Sequence, residues 1–226
     1  MSVEYYERYW STSGLCPDGA NEGTAGRLMA AHVPAGSKCL DFGCGSGRSA
    51  GIWLREHGMG YVGVDVSASA VAMARALGLQ AIQIDDGVLP FEDRAFDVAV
   101  AFEVFEHLFE PQRGARELRR VLRPGGLLLT TVPNIAHVRR RIESVRGCWN
   151  PFGDELSTEQ PWRDPHIRFF NARSFRAMLE ASGFVVERVG GHEGRLMALA
   201  QRWSLGERLH PLLGLRLHAV ARRPAG

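Results

Sequence analysis

The chain has 226 residues, 45% hydrophobic and 23% charged, with a formal net charge of +2. That size suits one globular domain with a full core, so small a charge argues against a nucleic-acid surface, and no stretch approaches the roughly 18 uninterrupted apolar residues of a membrane span. The opening MSVEYYERYW is too aromatic and charged for a secretory leader, and Cys16, Cys39, Cys44 and Cys148 are scattered without zinc-site spacing, so a cytoplasmic protein with reduced thiols is expected.

In chain order, residues 4–10 and 22–32 read as helices. KCLDFGC is a buried strand, and GRSAGIWLREHG is a helix closed by Gly58. GYVGVDVS is a second strand, SASAVAMARALG a helix with a serine start and a glycine stop, and LQAIQID a third strand. AFDVAVAF is a fourth strand, RGARELRRVLRPGG a helix ended by Pro-Gly-Gly, and LLLTTVP a fifth strand. Residues 134–170 break the alternation and read as a lid over the sheet. NARSFRAMLEASG is then a helix, and FVVERVG and RLHAVARRP are two strands that pair at one sheet edge. Strands alternating with helices imply a Rossmann-like, doubly wound α/β fold with a mostly parallel sheet covered on both faces. One domain is expected: a helical cap at 1–36, a cofactor-binding core at 37–133, the lid at 134–170, and a terminal helix with strands at 171–226.

Ligands of open α/β sheets bind at the carboxyl ends of the strands, so the turn after the first strand is the place to look. Gly43, Gly45 and Gly47 permit a tight turn and close backbone approach. Gly45, Gly47 and Ala50 also satisfy G-x-G-x-x-A, the dinucleotide fingerprint. Asp41 separates the two readings: a carboxylate there repels a pyrophosphate and attracts an ammonium group. S-adenosylmethionine has an amino-acid end and no phosphate. Asp65 ends the second strand, where it can accept from ribose hydroxyls. Asp85 and Asp86 end the third, within reach of an adenine edge. Alone, each acid reads equally well as a helix cap or a solvated loop residue; three ending successive strands favour the ligand.

Several runs resemble class I S-adenosylmethionine-dependent methyltransferases in order. LDFGCGSG is similar to their first motif and GVDVS to their second. DDGVLPFEDRAFDVAVAFEVFEHL resembles the third and fourth, and RVLRPGGLLLTTVPN the segment after. The resemblance is close over residues 37–134 and looser to about 190. It implies a seven-stranded sheet with an antiparallel C-terminal hairpin. It also implies a cofactor set of Asp41, Gly43, Gly45, Gly47, Asp65, Val66, Asp85, Asp86, Phe102 and Glu103.

Methyl transfer from a sulfonium is an in-line displacement, so the protein mainly positions the acceptor. A hydroxyl acceptor must also lose a proton, to a base or with a metal's help. Glu103, Glu106 and His107 follow the fourth strand as E-x-x-E-H, with both carboxylates on one side of a helical turn. Ubiquinone-pathway O-methyltransferases and small-RNA 2′-O-methyltransferases resemble the chain here. That implies a divalent metal, such as Mg²⁺, held by Glu103, Glu106, His107 and the later His166. Catalytic candidates are His107, Glu106 and His166. The bland alternative stays open: Glu103 contacts cofactor, Glu106 pairs on its helix, His107 acts alone and His166 packs under the lid.

Tyr6, Tyr9 and Trp10 either fold over the cofactor or seal the core on an amphipathic helix, the second being preferred. RRRIESVR reads as a solvated face, and Trp149, Phe152 and Trp162 as acceptor pocket or lid core. The leading expectation is O-methylation of a small-molecule hydroxyl on a sugar, polyketide or other secondary metabolite, without nucleic-acid or membrane partners. The alternatives are a cofactor-binding accessory protein, similar to methionine-biosynthesis-associated methyltransferase-like proteins, and an RNA 2′-O-methyltransferase.

Overall fold

The computed structural model describes residues 3–12, 22–85, 88–147, 166–192 and 211–226. Seven strands form one sheet in the order β3-β2-β1-β4-β5-β7-β6. They are β1 (Lys38–Phe42), β2 (Gly60–Asp65), β3 (Ala81–Gln83), β4 (Phe96–Phe102), β5 (Leu122–Pro133), β6 (Val185–His192) and β7 (Arg216–Arg222). β1 to β5 pair in parallel. β7 runs antiparallel to both β5 and β6. The expected hairpin is therefore present, with β7 inserted between its partner strand and the parallel block.

Side-chain alternation sorts the central strands between two cores. Ala99, Ala101, Leu128 and Ala219 face α5 (Pro111–Val121) and α7 (Ala172–Ala181), where Leu118, Phe175 and Leu179 meet them. Val98, Val100, Leu129 and Val220 face α2 (Glu22–His32) and α3 (Gly51–Glu56), through Met29 and Leu54. Burial on both faces is why these strands read as continuous apolar runs. α4 (Ala68–Ala76) starts at Ser67, whose hydroxyl accepts from the Ala70 N–H at 3.2 Å.

α5 ends at Val121, before the Pro-Gly-Gly, and β5 already begins at Leu122. The extra residues are absorbed as an irregularity against β4, where Phe96 pairs with Leu122 and Val98 with Leu127. No described helix is long and apolar enough to cross a membrane. α1 (Val3–Thr12) lies at the carboxyl edge of the sheet, and α6 (Val138–Val145) follows β5 with no buried residue.

Candidate active site

A cavity of about 250 Å³ opens at the carboxyl ends of the parallel strands. Gly43 after β1, Val64, Asp65 and Val66 at β2, Ile84 after β3, and Glu103, Val104 and His107 after β4 form its walls. Tyr6, Tyr9 and Trp10 of α1 line it from above. YYERYW thus covers the cavity, rather than only sealing the core. Glu7 fastens it there, accepting from Ser67 Oγ at 2.9 Å, from the Ser69 N–H at 3.2 Å and from Ser69 Oγ. These bonds hold the Glu7 carboxyl below its ordinary pKa, the Ser69 hydroxyl contributing most.

The glycine turn is a packed joint. Gly43, Gly45 and Gly47 have φ of 73°, 53° and 80°. A Cβ on Gly45 would lie 2.7 Å from Trp10, and one on Gly47 2.2 Å from Leu79. Its amides are committed to the protein: Gly43 and Cys44 donate to the Val64 carbonyl, and Gly45 donates to Asp65 Oδ2 at 2.9 Å. Asp65 Oδ1 also accepts from the Ser67 N–H at 3.0 Å, tying the turn to the start of α4. Burial raises the Asp65 pKa against the pull of these N–H donors.

Asp41 does not line the cavity. Strand alternation puts it on the Cys39 face of β1, where it is buried and accepts from Tyr61 Oη at 3.1 Å. Phe102 is buried in β4 outside the wall, and Asp85 is exposed beyond β3. Asp86, Trp149, Phe152 and Trp162 lie outside the described residues. The walls that remain fit an adenosyl cofactor. Asp65 keeps acceptor capacity for ribose hydroxyls, and Val66 and Ile84 offer apolar faces to a base. Arg113 is the one arginine or lysine in the described lining, which suits a ligand without a pyrophosphate.

The E-x-x-E-H run is split by its backbone. Glu103 has φ of 57°, a left-handed conformation rare outside glycine. Its N–H donates to the Thr131 carbonyl at 3.1 Å and to Thr131 Oγ1 at 3.2 Å. Its Oε2 accepts from Arg216 Nε at 3.0 Å. A 3-10 turn over Phe105–His107 follows and swings Glu106 inward. The two carboxylates therefore do not share a helical face, and Glu103 stands outside the cluster expected to hold a metal.

Among the described residues that cluster is Glu106, His107 and His166, with one donor atom from each lying within 4.8 Å of the others. Glu106 is 0% exposed, and neither carboxylate oxygen has a hydrogen-bond partner. His107 Nε2 lies 3.9 Å and His166 Nε2 4.0 Å from Glu106 Oε1. The imidazoles stack at 4.6 Å between centroids, and Tyr6 meets His107 edge-on at 5.9 Å. His166 is held beside Glu106 by the residues that follow it, where the N–H groups of Ile167 and Arg168 both donate to the Glu106 carbonyl at 3.0 Å. Burial, then the charge of Glu103, raises the Glu106 pKa well above the carboxylate range. Such a centre can hold a proton, a cation or a hydroxyl group. Sequence reasoning missed Arg216, Thr131 and Glu7, because no motif marks them.

Comparison with known proteins agrees with this geometry. The family description "Methyltransferase domain" matches residues 23–189. A Mycolicibacterium smegmatis protein named "Probable S-adenosylmethionine-dependent methyltransferase" is 34% identical over 70% of this chain and 55% of its own. O-methyltransferase resE of Aspergillus sclerotiorum is 37% identical over 42% of this chain and 39% of its own. The chain thus spans about half the length, or less, of these curated relatives. The crystal structure of an S-adenosylmethionine-dependent methyltransferase from Mesorhizobium loti superimposes with a TM-score of 0.64, at 24% identity over 91% of this chain and 99% of that one. With the matched family, the strand order and the cavity at the carboxyl edge together, the chain belongs to the class I S-adenosylmethionine-dependent methyltransferases.

Proposed function

We propose that this protein methylates a hydroxyl of a small acceptor, such as a sugar, a polyketide or another secondary metabolite, at the Glu106–His107–His166 centre. The observation that carries the reading is Glu106: fully buried, without a hydrogen bond to either oxygen among the described residues, and flanked by two imidazoles. Burying a carboxyl group without hydrogen bonds costs about 1–3 kcal/mol or more, and a site that carries this cost beside two imidazoles suits proton or cation chemistry. The relative named as an O-methyltransferase is in keeping with an oxygen acceptor.

When bound, the cofactor supplies a methyl group already activated on a sulfonium. The chain's own residues position and deprotonate. Asp65 accepts from the ribose hydroxyls, Gly43 and Val66 pack on the cofactor, and Glu103 faces its amino-acid end. His107, which lines the cavity, takes the acceptor's hydroxyl proton on its imidazole. Glu106 lies beside its Nε2 and stabilises the imidazolium. His166 belongs to residues 134–170, which we read as the acceptor-side lid. A divalent cation, Mg²⁺ in the first instance, would be held by Glu106, His107 and His166. It would lower the hydroxyl's pKa. Two imidazoles and one carboxylate also suit Mn²⁺ or another borderline ion. The buried thiols Cys39 and Cys44, the first with its pKa pushed up to about 12 by burial, support a reducing, cytoplasmic setting.

The test is labelled methyl transfer to a panel of hydroxylated acceptors, with and without EDTA and with divalent ions restored. Transfer abolished by EDTA and restored by one ion supports both parts. Transfer indifferent to EDTA removes the metal and leaves His107 as base. S-adenosylhomocysteine binding without transfer to any acceptor favours the accessory reading. An RNA acceptor has two observations behind it, the arginines of α6 and a Homo sapiens relative named "Probable tRNA methyltransferase 9B", 35% identical over 51% of this chain and 26% of its own, but Arg139 is tied to Glu143 at 2.7 Å and Arg141 to the Ala136 carbonyl at 2.9 Å. RNA retained in filter binding would favour it.

A further inference from the structure

Arg216 enters no motif and no step above, yet the fold delivers it to the cavity edge. β7 is antiparallel, so its first residue lies beside Pro133, the last of β5, at the carboxyl end of the sheet. There Arg216 Nε donates to Glu103 Oε2 at 3.0 Å. Glu103 is held three ways: by Thr131 at its N–H, by Arg216 at its carboxylate, and by a left-handed backbone that costs about 1 kcal/mol or more in a residue with a side chain. A strained corner persists only where its surroundings over-determine it. The other carboxylate oxygen, Oε1, is closed off from solvent and has no partner. Glu103 itself lines the cavity. The arrangement fixes the carboxylate at the cavity wall, where its side chain keeps 18% of its surface exposed to meet a bound ammonium group.

We infer that Arg216 is a positioning residue for the amino-acid end of the cofactor, acting through Glu103. The inference rests on the reading of this cavity as an S-adenosylmethionine site. Arg216 fixes the rotation of the Glu103 carboxylate by its hydrogen bond to Oε2. Without the guanidinium, Glu103 has no fixed orientation toward the ammonium group, while the adenosine end loses nothing.

The test is calorimetric titration with two probes: S-adenosylhomocysteine, and 5′-methylthioadenosine, which lacks the amino-acid end. Arg216→Met is expected to weaken S-adenosylhomocysteine about tenfold, the scale of one charge-assisted hydrogen bond, and to leave 5′-methylthioadenosine within about twofold. Arg216→Lys recovers part of the loss. Glu103→Gln shows the same selective loss, and Arg216→Met added to it costs nothing more, because the two act in series. Equal weakening of both probes, or additive losses in the double variant, would mean a merely structural Arg216 and overturn the inference. If the wild-type protein binds neither probe, the cofactor reading falls and takes this inference with it. If it binds both and Arg216→Met binds like the wild type, only the role of Arg216 falls.

Discussion

The glycine turn and the Glu106 centre are adjacent at the ends of β1 and β4, yet they treat buried polar groups in opposite ways. In the turn, the Gly43, Cys44 and Gly45 amides and both Asp65 oxygens have partners inside the protein, and side chains already fill the space beside the glycines. At the centre, both Glu106 oxygens and Glu103 Oε1 lack hydrogen-bond partners. A satisfied network makes a rigid wall, and an unsatisfied one makes a place where an outside group is bound. On the proposed reading, the turn is scaffold for the cofactor and the centre is where chemistry is placed.

The sharpest way to break this contrast is Glu106→Gln. Methyl transfer is expected to fall about 10²–10⁴-fold, while the melting temperature holds or rises, because a buried unpaired carboxylate is replaced by a neutral amide. A large drop in melting temperature together with full activity would reverse the assignment. Gly47→Ala is the counterpart in the turn. With φ of 80° and Leu79 only 2.2 Å from the new Cβ, it should lose about 2–4 kcal/mol in urea unfolding. A loss under about 0.5 kcal/mol would mean the turn is not packed.

pH sharpens the contrast further. Burial raises the Glu106 pKa, so the folded state binds that proton more tightly than the unfolded chain. Its contribution to stability is fully present below the ordinary carboxylate pKa and is lost as pH rises through the raised one. Melting temperature against pH should therefore decline less on the alkaline side in Glu106→Gln than in the wild type. Parallel curves would place the titration elsewhere. The smallest effect is expected at the roof. Glu7→Gln keeps α1 but weakens its hold on Ser67 and Ser69, and S-adenosylhomocysteine affinity should fall about two- to fivefold. Unchanged affinity in that titration would show that α1 closes without this latch.

Much of the scaffold was legible because its signals are local. Continuous apolar runs, the serine start of α4 and the turn glycines each act within a few residues, and they placed β1 to β5 and the helices between them. Asp65 and Val66 were found in the cavity wall for the same reason. Asp41 failed as a cavity residue although its position in the strand was read correctly. Both faces of the sheet are packed, so the strand pattern alone does not say whether Asp41 meets a ligand or a neighbour such as Tyr61 of β2.

By itself, the sequence determined the order of strands and helices, the turn after β1 and the position of an acid-rich segment after β4, since each follows from hydrophobic period and backbone freedom over short spans. Only the tertiary structure decided which of those acids work together. It turned Glu103 outward to Arg216, 113 residues away in the chain, and set Glu106 against His166 through two main-chain hydrogen bonds. Pairings of that kind depend on the antiparallel course of β7 and on residues 166–168 lying against Glu106, which no local pattern encodes.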